Sequence, residues 1–119
     1  MEVIHIEISS AYGAREHCEI KFTQRSPVTM NVRSDQFGVL SFNDSNLFAA
    51  LSAFRRVLEQ QGYLVLCNGA RRDAYPSRMA LQMGGGLKVY LLKAGEPARR
   101  EDLVDIWGSA SLDQVLQHS

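Results

Sequence analysis

The sequence predicts an α+β fold: an antiparallel sheet of about five to six short strands, with one main amphipathic helix over about 45–61 packed on one face. Three observations carry that expectation. Strict apolar/polar alternation recurs in three runs near the N-terminus, the period then switches once and strongly to that of a helix, and short β-rich runs return afterwards between turn residues. With 119 residues, 45% of them apolar and 22% charged, the chain has material for one core and the balance of a globular protein, so a single α+β domain over 1–119 is expected.

The elements follow in chain order. Ile4, Ile6 and Ile8 alternate with His5 and Glu7; Cys18, Ile20 and Phe22 alternate with Glu19 and Lys21; Val28, Met30 and Val32 alternate with Thr29, Asn31 and Arg33. Each run reads as a half-buried strand, and the short turn-rich links 11–15 and 24–27 make the three antiparallel neighbours with one wet and one dry face. Val39 to Phe42 forms a fourth strand or an extended lead-in. Asn43, Asp44 and Ser45 then offer N-cap oxygens, and Leu47, Phe48, Leu51, Phe54 and Leu58 follow helical spacing, with Arg55, Arg56, Glu59 and Gln60 opposite. Gly62 stands where a left-handed cap ends such a helix. Tyr63 to Cys67 reads as a returning strand, 70–86 as an irregular segment with one helical turn at Ser77 to Met83, and Leu87 to Leu92 as a strand. Leu103 to Trp107 is a strand or a short helix, and Ser111 to Gln117 a terminal helical turn before a frayed His118-Ser119.

Several function classes have little support in the residues. The opening residues lack a basic region followed by an apolar core, and no apolar stretch approaches the ~20 residues of a bilayer span, so a cytoplasmic protein without membrane association is expected. Cys18 and Cys67 lie in apolar runs and read as buried free thiols. A Cys67 nucleophile with His5, His17 or His118 as base has no motif behind it, so no catalytic residue is assigned and no enzyme is expected. Metal-ligand spacings are missing, and neither metal nor other cofactor is expected.

Charge is uneven although the formal net charge is +0. Between Arg55 and Arg100 basic residues outnumber acidic ones nine to three, whereas the stretch from Glu101 onward carries four acids and no Lys or Arg. That asymmetry is either an internal ion-pair seam or a polarised surface for a charged partner. Gly84-Gly85-Gly86-Leu87-Lys88 departs from a phosphate-binding loop, because Lys88 runs into a strand and not a helix; a glycine turn feeding that strand is the better reading. Arg71, Arg72, Tyr75 and Arg78 form a short basic and aromatic cluster. Nucleic acid is not the favoured partner, since no recognition motif accompanies the cluster; Arg and Tyr also anchor protein interfaces. A purely structural alternative pairs Asp73 with an arginine and packs Tyr75-Pro76 beneath the loop.

The strings LCNGARRDAYPSRM (66–79), MGGGLKVYLL (83–92) and REDLVDIW (100–107) together resemble small bacterial immunity proteins of polymorphic-toxin loci, in particular those beside Rhs-type effectors of type VI secretion. The resemblance covers about the last half of the chain. It implies a partner, the C-terminal toxin domain of a cognate effector, whose active site the protein occludes. Seen that way, Arg71, Arg72, Asp73, Tyr75, Ser77 and Arg78 are candidate partner-binding residues, with Glu101, Asp102 and Asp105 as acidic plugs for an electropositive toxin cleft. The alternative is a small-ligand-binding or nucleic-acid-binding domain that uses the 68–86 loop. The oligomeric state is not readable from the residues.

Overall fold

Alternate side chains leave opposite faces of an extended chain, so Ile6 and Ile8, Cys18 and Ile20, and Met30 and Val32 all reach one side and are buried. In the computed structural model, which describes residues 1–116, these runs are β1 (Glu2–Ser10), β2 (Arg15–Phe22) and β3 (Val28–Ser34), followed by β4 (Gly38–Asp44). All neighbours are antiparallel, and the register sets Ile6 opposite Cys18, Ile20 opposite Val32, and Met30 opposite Phe42 on the dry face. His5 and Glu19 meet on the wet face, 3.7 Å apart.

The expected helix is α1 (Leu47–Gln60), and it packs against β3, β4 and a further strand, β5 (Tyr63–Leu66), which returns beside β1. Leu47, Ala50, Leu51, Phe54 and Leu58 are buried along one stripe. Its N-cap is Asn46, one residue beyond the Asn43–Ser45 group: the Asn46 Oδ1 accepts the Ala49 N–H at 2.8 Å, while β4 still runs through Asp44. Gly62 ends the helix at φ +79° and donates its N–H to the Glu59 carbonyl at 3.1 Å.

The five-stranded sheet has the order β4-β3-β2-β1-β5. Beyond it the chain builds a second, three-stranded sheet that the alternation does not reveal, from β6 (Ala74–Tyr75), β7 (Lys88–Leu91) and β8 (Leu103–Asp105). These strands have two to four residues, too few for a periodicity to declare itself. Leu103 to Asp105 is therefore strand, and the last helical element is α3 (Leu112–Val115). Gln117, His118 and Ser119 lie outside the described residues.

Residues 106–110 join the halves. The Gly69 N–H donates to the Ile106 carbonyl at 2.9 Å and the Asn68 N–H to the Gly108 carbonyl at 2.7 Å, so this segment lines the end of β5. Val89, Ile106 and Val115 consequently share one buried cluster with Ile8, Leu51 and Phe54. Gly86 makes the other joint. A β-carbon there would lie 2.6 Å from the Phe48 nitrogen and the backbone has φ +82°, so only glycine lets the chain pass the start of α1, where the Leu47 N–H donates to the Gly85 carbonyl at 2.9 Å. The triple glycine is thus a turn that feeds β7, as its sequence context predicts.

Candidate functional site

The irregular segment folds around a seven-residue helix, α2 (Arg78–Gly84). The Ser77 Oγ accepts the Ala80 N–H at 3.1 Å, and Gly85 closes the other end in the left-handed conformation. A helix this short cannot sustain itself in water, so its capping and its attachment to the glycine turn hold it. None of its residues is buried. Met79 and Met83, one turn apart, are 72% and 83% exposed.

Two hollows flank α2. The larger, an open cleft of about 970 Å³, lies toward Gln24, Ser26 and Asn46, with Tyr75, Arg78 and Leu81 on its other wall. The smaller, of about 330 Å³, lies between α2 and the outer face of the small sheet, where Met79, Ala80, Leu87, Tyr90 and Leu103 meet. Met83, Gly84 and Leu87 line both hollows, so they meet over the C-terminal half of α2.

The sequence-predicted partner-binding residues divide under this geometry. Arg71 holds Asp73 in a two-pronged ion pair, Nε to Oδ1 at 2.7 Å and Nη2 to Oδ2 at 2.6 Å. Those hydrogen bonds and the guanidinium charge hold the Asp73 carboxyl below the usual carboxylate range. Asp73 also accepts the Leu92 N–H on its main-chain carbonyl at 2.9 Å, so the pair anchors the start of the small sheet. Ser77 is a helix cap. The exposed Arg72 donates its N–H to the Gln114 carbonyl at 3.2 Å. Tyr75, 49% exposed, and Arg78 are the two that face the larger cleft.

The acidic group does not assemble into one plug. Asp102 accepts the Arg99 N–H at 3.0 Å and lies 3.8 Å from Lys93, and Asp105 turns back to accept the Trp107 N–H at 2.8 Å. Glu101 is exposed, 3.9 Å from Arg99. None of the three lines either hollow beside α2. Met79, Met83, Lys88, Tyr90 and Leu103 do border those hollows and were not singled out by sequence reasoning; the i, i+4 pair of methionines behind a Ser cap was the available signal.

Cys67 is fully buried, and burial pushes its thiol up to about 12; burial and the neighbouring Glu16 charge push Cys18 up to about 11. His5 and His17 are exposed on the wet face, opposite Glu19 and Glu7 in the β1–β2 ladder, whereas Cys67 is buried in the core. No group of three or more potential metal ligands occurs among the described residues. No helix among them is long and apolar enough to cross a membrane. No protein-family model matches the chain, and no curated protein matches it in sequence.

Proposed function

We propose that this chain is an immunity-type protein that binds a cognate bacterial toxin domain, of the Rhs or type VI effector kind, and occludes its active site with the surface around α2. The reading is carried by one observation: α2 presents Met79 and Met83 outward with Tyr75 and Arg78 beside them, the mixture of adaptable apolar, aromatic and guanidinium groups that anchors protein interfaces. The resemblance of 66–107 to immunity proteins supports it, because that segment contains α2 and both its flanks. The protein acts in the cytoplasm by binding alone, without metal or cofactor. Its partner is the toxin domain encoded beside it.

Co-expression with that toxin domain is the test. A stable complex burying about 1,600 Å² in total is expected, with toxin activity lost in proportion to complex formed. Tyr75→Ala and Arg78→Glu should weaken the complex at least about tenfold while the free protein melts as before. Absence of a complex at micromolar concentrations would overturn the proposal.

A second reading draws on the larger cleft, whose volume falls in the range of small-molecule sites. In that case the 68–86 segment is a pocket wall, and a ligand bound against Tyr75 would protect the protein thermally where Tyr75→Ala is not protected. Binding that instead weakens steeply with salt and follows phosphate number would indicate nucleic acid.

A further inference from the structure

We infer that the partner element seated on α2 is an acidic amphipathic segment: apolar side chains pack over Met79 and Met83 while carboxylates on its two flanks reach Arg78 on one side and Lys88 on the other. This deepens the protein-binding reading above and rests on it.

The argument begins with the charges around the helix. Arg78 lines the larger hollow and Lys88 the smaller; they are the charged residues in the two linings, and both are positive. Among the described residues neither side chain has a hydrogen bond or an ion pair. Three acids of the small sheet and its edge accept hydrogen bonds from their own chain and stay outside both linings. Asp73 is held by Arg71, Asp102 by the Arg99 amide and Lys93, and Asp105, directly across the β7–β8 ladder from Lys88, accepts the Trp107 N–H. Two cations thus flank an apolar ridge with no carboxylate in either wall.

Such a saddle favours one kind of occupant. A basic segment would place like charges against Arg78 and Lys88 at the moment of desolvation, and a purely apolar one would leave both cations covered and unpaired. An acidic amphipathic segment satisfies both features, because its apolar face meets the methionines and its carboxylates replace the water around the two cations. The join of the two hollows over Met83 and Gly84 lets a single segment cross from one cation to the other.

The experiment uses the full chain as bait for a displayed library of random sixteen-residue peptides, so that it stands apart from any toxin domain. Selected peptides should be rich in Asp and Glu alternating with Leu, Phe or Ile. A synthetic copy of the strongest should lose affinity about tenfold on Arg78→Glu or on Lys88→Glu, and at least about thirtyfold on Met83→Asp, with the thermal melt of each variant unchanged. Replacing the peptide's acids by lysine should restore binding to the Arg78→Glu, Lys88→Glu double variant. Enrichment of basic peptides, no enrichment, or selected peptides indifferent to all three substitutions would each overturn the inference. Acidic peptides held on α2 together with a toxin domain that fails to bind would remove the immunity reading and leave this one standing.

Discussion

α1 and α2 are both capped by a side-chain oxygen three residues before the amide it satisfies, yet they have opposite fates. α1 has fourteen residues and buries five of them against three strands; α2 has seven and buries none. In α1 the apolar stripe faces the sheet and contributes stability, whereas in α2 the apolar pair faces water, an unfavourable arrangement unless something else covers it. The contrast separates residues that make the fold from residues left exposed on it, and it can be attacked from either side.

The largest effect belongs to α1. Leu51→Ala and Phe54→Ala should each cost about 2–5 kcal/mol in urea-unfolding experiments, because both side chains are buried and truncating them loses buried apolar surface and leaves a cavity in the core. A loss below about 1 kcal/mol at both sites would mean that the helix is not the core element described.

Next comes the joint between the two helices. Gly86→Ala combines a positive φ with a close approach to the α1 backbone and should destabilise by more than about 1 kcal/mol. Hydrogen exchange should show faster opening of both α2 and the first turn of α1. Loosening of α2 alone would show that the glycine turn is not what ties them together.

Smaller still is the Arg71–Asp73 pair. The folded-state pKa of Asp73 lies below its unfolded value, so the pair contributes stability that is fully present above about pH 4 and is lost as pH falls through the depressed folded value. Asp73→Asn should lower stability at neutral pH by about 1 kcal/mol or less and flatten that part of the acid limb. An unchanged acid limb would assign the pH dependence elsewhere.

The smallest effect is expected on α2 itself. Met79→Ser and Met83→Ser should change stability by no more than about 0.5 kcal/mol, since both side chains are largely in water. A loss comparable with that of Leu51→Ala would erase the distinction between the two helices.

Much of this was legible in the residues. Ile4-Ile6-Ile8, Cys18-Ile20-Phe22 and Val28-Met30-Val32 announce their strands, and Leu47 to Leu58 announces the stripe of α1. The N-cap slipped to Asn46 because four successive polar residues all offer suitable oxygens, and only the end of the β4 pairing selects among them. Of the candidate site, Tyr75 and Arg78 were identified on chemistry and do line a cleft. Arg71, Asp73 and Ser77 carry the same chemistry but hold local structure.

Residue order alone determined which stretches alternate, where the helical period begins, and which face of each element is apolar. Those properties are set by neighbours within a few positions, through the 2.0 and 3.6 periodicities of the backbone. Tertiary structure decided that two- to four-residue strands form a second sheet, that Asp102 and Asp105 bind their own chain, and that Met79 and Met83 stay largely exposed among the described residues. Each of these depends on distances between residues far apart in the chain, and burial or hydrogen bonding is decided only when those residues meet.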